Sequence, residues 1–240
     1  CSSDLGAPQV GVRMHCTNRI PHSRGLGSSA SAIVAGVTLA RALIGDADVL
    51  GRQEILEIGS HMEGHPDNVA PAVFGGATVS WMNEETSEVG SVRLTPPEGI
   101  NPVAFIPDFE LRTAAARAAL PATVPHGDAS FNVARGALLA AILSGGAQAS
   151  GGVNLHALLM EATRDRLHQE QRRAAMEPSL ALVDWLRGAG FAAVVSGAGP
   201  TVLSLEKVGA DIRRDAAGAG WRVVPLAVAA SGVQITRGSL

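Results

Sequence analysis

Apolar and polar positions alternate from Val10 to Thr17. Val10, Val12, Met14 and Cys16 fall on one side, Gly11, Arg13, His15 and Thr17 on the other. This period of two predicts a half-buried strand. The period changes at Ser28. Ile33, Val34, Val37 and Ile44 recur at helical spacing among alanines, and Ser28 and Ser29 suit a helix start. Between strand and helix lies NRIPHSRGLG, a loop with two glycines. A second helix is predicted from about Ala47 to Met62, broken by Gly64 and Pro66 in EGHPDN. AVFGGATVSW reads as a strand with a Gly-Gly kink, and ETSEVGSVRLTPPEG as a hairpin edge followed by a linker.

Pro96-Pro97 marks the expected domain boundary. NPVAFIPDF begins a new strand, and helices are predicted at 112–120, 127–143, 153–168 and 178–189. SGGAQASGG, residues 144–152, reads as a short flexible connection. FAAVVSGAGPTVLSL is strand, glycine turn, strand. A helix near 208–217 leads into a last buried strand in WRVVPLAV. There is no internal repeat. The pattern describes an α+β protein in two halves, 1–100 and 101–240.

Composition narrows the function classes. The 240 residues are 46% hydrophobic and 17% charged, a globular mixture. Net charge is −3 without long runs, aromatics are 3% and Tyr is absent, so nucleic acid is not an expected partner. No apolar stretch reads as a membrane span. Cys1 and Cys16 are too few for a disulfide framework, which fits a cytoplasmic protein. The chain opens CSSDLGAPQ with no Met and no signal-peptide pattern, and is expected to be a fragment of a longer protein.

Two stretches carry candidate chemistry. Gly25 and Gly27 let backbone amides crowd round a ligand, and the helix that follows points its N-terminal N–H groups and partial positive charge the same way. Such a loop is either a phosphate cradle or a plainly capped helix. A serine there also suits Mg²⁺, a cation that prefers oxygen. It is neither a Walker A loop, a GxGxxG loop nor a GxSxG elbow. The second stretch, EGHPDN, packs Glu63, His65, Asp67 and Asn68 at a forced helix break. Its alternatives are a ligand-binding cluster and a capped helix end with an Asx turn. Zinc is excluded, because His61-x-Glu63-x-His65 lacks the ligand spacing and Gly64 breaks the helix. In the C-terminal half Thr113, Arg117, Asn132, Arg135 and His168 are polar groups on predicted helices, and Arg172 and Arg173 follow the third of these. Their arginines suit carboxylate or phosphate, or simply solvent.

The full string Pro21-x-x-x-Gly25-Leu26-Gly27-Ser28-Ser29-Ala30 resembles the phosphate-binding motif of the GHMP kinases. EGHPDNVAPAVFGG is similar to their homoserine kinase branch, which carries Asn where other branches use an Asp as base. Ser196-Gly197-Ala198-Gly199-Pro200-Thr201 resembles the third GHMP motif, which lies near the phosphate loop. The resemblance implies a two-domain fold, with a ribosomal-protein-S5-like N-terminal domain and a ferredoxin-like C-terminal domain. It implies ATP and Mg²⁺ as cofactors, L-homoserine as substrate, and suggests a homodimer. Pro21, Arg24, Gly25, Leu26, Gly27, Ser28, Ser29 and Ala30 then form the ATP site. Ser28 and Glu63 hold Mg²⁺, with Glu57 the rival carboxylate. Asn68 and Arg117 are the implied catalytic residues, Asn68 orienting the substrate hydroxyl. His65, Asp67, Arg117 and Arg172 bind the amino acid. The branch often has His-Gln-Pro-Tyr-Arg where this chain has His168-Gln169-Glu170-Gln171-Arg172. GAPQVGV does not match the family's first motif, so the N-terminal strands are expected to be missing. A mevalonate-type kinase and a non-catalytic metabolite-binding relative stay open as alternatives.

Overall fold

A computed structural model describes residues 11–44, 51–147 and 152–236. The chain forms two compact units. One takes Gly27–Arg93 with the stretches that end at Pro21 and begin at Ala230; the other takes His22–Leu26 and Leu94–Ala229.

The first unit layers helices on a hairpin. Its elements are α1 (Ser28–Ile44), α2 (Arg52–Glu63), α3 (Val69–Phe74), β1 (Ala77–Met82) and β2 (Val89–Leu94). Ala30 and Val34 stand one turn apart on α1 and bury against Ile55 and Leu56 of α2 and Val69 and Val73 of α3. Gly64 ends α2 in a left-handed cap, its N–H donating to Ser60 O at 2.8 Å. The helix break expected in EGHPDN is therefore present, while 47–50, where that helix was expected to start, lies outside the described residues. The stretch after Ala230 belongs to this unit, where Val233 N donates to Ala72 O at 2.8 Å.

The second unit holds β3 (Val103–Ile106), α4 (Thr113–Ala118), α5 (His126–Leu143), α6 (Leu155–Ala162), a 3-10 helix (Glu170–Ala175), α7 (Glu177–Gly188), β4 (Ala193–Val195), β5 (Val202–Ser204), α8 (Ala210–Gly218) and β6 (Arg222–Pro225). Its sheet runs β4-β5-β3-β6, every pair antiparallel, with Ala104 opposite Leu203 on one side and Val224 on the other. All four residues of β3 are buried. Val103 and Phe105 meet Leu182, Val183 and Leu186 of α7 and Ala216 of α8. Each such leucine contributes roughly 1.5–3 kcal/mol relative to exposure. Ile142, Leu159 and Ala162 build a second cluster with Ala192.

Four expectations are corrected. Residues 11–17 form no strand. Val12 and Met14 are 52% and 65% exposed, and among the described residues no backbone pairs with them. Alternation yields a strand only where a partner accepts the ladder bonds; Val10 lies outside the described residues. Ala72, Val73 and Phe74 are helical, and the strand starts at Ala77, because Gly75 and Gly76 take positive φ and turn the chain. The predicted 153–168 helix stops at Ala162, and the 3-10 helix follows. The last strand, β6, is a half-exposed edge rather than buried, and its Pro225 suits an edge. Part of the 144–152 connection, 148–151, lies outside the described residues. Among those residues no helix is long and apolar enough to cross a membrane.

Candidate active site

The loop before α1 is shaped by contacts on either side of Leu26. In the second unit Arg24 gives its guanidinium to Pro107 O at 2.9 Å, Asp108 O at 2.6 Å, His22 O at 2.9 Å and Glu110 Oε1 at 3.1 Å. Its donors serve the loop's anchorage, not an outside anion. Thr201 N donates to Arg24 O at 3.3 Å and Ser196 Oγ to Gly25 O at 2.8 Å, so the SGAGPT turn grips the loop's backbone. Gly25 has φ +69°, and a Cβ there would collide with Ser196 O and stand 2.8 Å from Gly199 O. Only glycine tolerates both that φ and that approach.

In the first unit Gly27 has φ +70°, and Asn68 packs on it, with Oδ1 3.1 Å from where a Cβ would stand. Gly27 O accepts from Ser31 N at 3.0 Å, closing the first turn of α1. The remaining amides of that turn have no acceptor within the helix. No residue of the turn itself is acidic, and a carboxylate from α2 meets it instead. Ser28 is buried and accepts from Asn18 Nδ2 at 3.1 Å. Ser29 is exposed, and its Oγ donates to Glu63 Oε2 at 2.7 Å. The structure thus brings Glu63 to Ser29. Glu57 instead accepts from Gln53 Nε2 at 2.9 Å, within its own helix.

These residues fit Mg²⁺ by donor chemistry. A carboxylate and serine hydroxyls are hard oxygen ligands. Among the described residues no group of three or more His, Cys, Asp or Glu is placed to cage a cation. Mg²⁺ commonly takes one or two carboxylates and fills its shell with substrate phosphates and water, which suits one Glu beside a candidate phosphate cradle.

The helix break carries the second cluster. His65 Nδ1 lies 2.5 Å from Asp67 Oδ1, and Asn68 Nδ2 donates to the same oxygen at 3.2 Å. Asp67 is exposed and aligns both neighbours.

In the second unit Arg117 is exposed on α4 and Arg172 is 8% exposed on the 3-10 helix. Arg172 Nε donates to Ala116 O at 3.0 Å and Nη1 to Gly197 O at 3.4 Å. Burial lowers its pKa, the Asp165 charge opposes this, and Arg117 adds to the lowering. The guanidinium stays charged. Among the described residues no carboxylate lies in ion-pair distance of Arg117 or Arg172, whereas Arg135 pairs with Glu161, and Arg173 with Glu170 and Asp184. Two guanidiniums without an ion-pair partner suit a carboxylate ligand. Thr113 opens α4 and is exposed. Asn132 and His168 both reach Asp165, at 2.7 and 3.1 Å. Sequence reading missed Asp165, whose signal is an Asp three residues before His168 in a turn-forming position.

The chain matches the GHMP kinases N terminal domain over residues 2–76 and the GHMP kinases C terminal domain over residues 139–217. It is 45% identical over 233 residues to a homoserine kinase of Streptomyces avermitilis, covering 96% of this chain and 73% of that one. A homoserine kinase of Streptomyces coelicolor is 46% identical over 219 residues, covering 90% and 67%. The crystal structure of a homoserine kinase from Cytophaga hutchinsonii superposes with a TM-score of 0.75 at 23% identity, covering 90% and 69%, and shows the shared fold. The chain belongs to the GHMP kinase family, among its homoserine kinases.

Proposed function

We propose that the protein transfers the γ-phosphoryl group of ATP to the side-chain hydroxyl of L-homoserine. The hydroxyl oxygen forms the new P–O bond, the bond from the γ-phosphorus to the ADP oxygen breaks, and the hydroxyl proton is released. The observation that supports this best is Asn68 packed on Gly27, which sets a hydroxyl-orienting amide against the phosphate loop. Backbone amides from Gly25 to Ala30 bind the phosphates, and Asn68 aligns the acceptor oxygen. Ser28, Ser29 and Glu63 are the residues that would hold Mg²⁺, which neutralises charge on the phosphate oxygens when bound. His65, ordered by Asp67, binds the amino acid, and Arg117 and Arg172 hold its carboxylate. No strong base is required, because phosphoryl transfer rests on positioning and charge stabilisation. A homodimer and a cytoplasmic location complete the proposal.

ADP release from Mg-ATP, followed with L-homoserine, mevalonate and galactose in turn, tests this. Release with homoserine alone is expected. Release with mevalonate instead would remove the roles given to Asn68, Arg117 and Arg172. ATP binding without release would favour the non-catalytic alternative.

A further inference from the structure

The carboxylate of Asp165 gathers five donors. Oδ1 accepts from Asn132 Nδ2 at 2.7 Å and Leu167 N at 3.3 Å and lies 3.1 Å from His168 Nδ1. Oδ2 accepts from His168 N at 2.8 Å and Gln169 N at 2.7 Å. Asn132 completes the clamp, its Oδ1 accepting from Arg166 N at 2.9 Å. This is why the helix ends at Ala162: the amides of 166–169 turn inward onto side-chain oxygens instead of continuing α6. The 3-10 helix that carries Arg172 starts immediately after the wrapped segment. Gln169 Oε1 accepts from Val195 N at 2.7 Å and Gln171 Nε2 donates to Arg166 O at 2.7 Å, fastening the same turn. In this chain side-chain bonds thus hold a turn that carries no proline between His168 and Arg172.

We propose that Asp165, with Asn132, is a positioning residue for substrate binding: it sets Arg172 in place and balances its charge without capturing it. Asp165 acts on the charge of Arg172 through space, yet the two form no ion pair. A carboxylate whose lone pairs are already filled cannot close on the guanidinium fork. Burial raises the Asp165 pKa, but the bonds from His168, Gln169 and Asn132 outweigh it and hold the group well below the usual carboxylate range. Asp165 therefore stays anionic beside a buried cation. With Nε and Nη1 given to Ala116 O and Gly197 O, Nη2 of Arg172 is the end left for a carboxylate ligand.

This inference rests on the substrate role given to Arg172 above. The test is a set of steady-state KM values for L-homoserine and ATP in Asp165→Asn, Arg172→Ala and the double variant. Asp165→Asn should raise the homoserine KM about tenfold or more and leave the ATP KM within about twofold, the split expected of a lost substrate contact. The double variant should be no worse than Arg172→Ala within about twofold, because both changes remove one function. Multiplying effects, or equal rises in both KM values, would overturn the inference. If Arg172→Ala leaves the homoserine KM unchanged, the substrate role of Arg172 falls and the inference with it. If only Asp165→Asn leaves it unchanged, the inference alone fails. Should Asp165→Asn not fold, Asn132→Ala keeps the carboxylate and should raise the homoserine KM roughly threefold with ATP unaffected. An unchanged homoserine KM there would equally overturn it.

Discussion

Gly25 and Gly27 share a left-handed φ but differ in what a side chain would meet. At Gly25 the obstacles are backbone oxygens of Ser196 and Gly199, which belong to a turn held by its own bonds. At Gly27 the obstacle is the end of the Asn68 side chain. Gly27→Ala is expected to cost about 1–2 kcal/mol from φ alone and to displace Asn68, lowering kcat. Gly25→Ala should cost more, because backbone cannot step aside. Urea unfolding of both variants checks the order; equal losses would mean that the turn yields. Asp165 allows a second prediction at this scale. Its pKa is depressed in the folded state, so its contribution is complete above the unfolded value, about 4. It is lost as pH falls through the lower folded value, because the unfolded chain then binds more protons. Thermal melts should show the wild type losing stability below about pH 4, more steeply than Asp165→Asn. Parallel curves would count against it.

At the scale of elements, β3 is the keystone of the second unit. Phe105 is fully buried under α7, and Phe105→Ala should cost about 3–5 kcal/mol in chemical unfolding. A loss below 1 kcal/mol would show that the sheet collapses freely to fill the space. The same scale shows what local pattern can carry. The period of α1, the helix break at Gly64 and the glycine turn joining β4 to β5 were all legible, because each depends on residues a few positions apart. The run from Gly11 to Thr17 alternates just as cleanly and is no strand, since pairing depends on a remote backbone. Residues 163–168 contain neither Gly nor Pro to break a helix, but Asp165 and Asn132 take the amides the helix would use. That competition involves a residue 33 positions away and leaves no periodic trace. The candidate site was legible in its residue types, through glycines and polar clusters at forced breaks. Which serine meets Glu63 was not, because it depends on how α1 and α2 pack.

The whole molecule is assembled by returns of the chain that no local pattern announces. His22–Leu26 belongs with the second unit, and the stretch from Ala230 goes back to the first. The loop proposed to bind phosphate is thereby gripped before Leu26 by Arg24 and Ser196, and ordered after it by the first turn of α1. Anchorage of this kind is pre-organisation, which a reaction driven by positioning requires. The reaction itself is best tested by following both products together. With Mg-ATP and L-homoserine, phosphorus NMR should show one phosphomonoester appearing for each ADP formed. ADP matched instead by inorganic phosphate would mean that water, not homoserine, accepts the phosphoryl group, and the proposed kinase function would be lost.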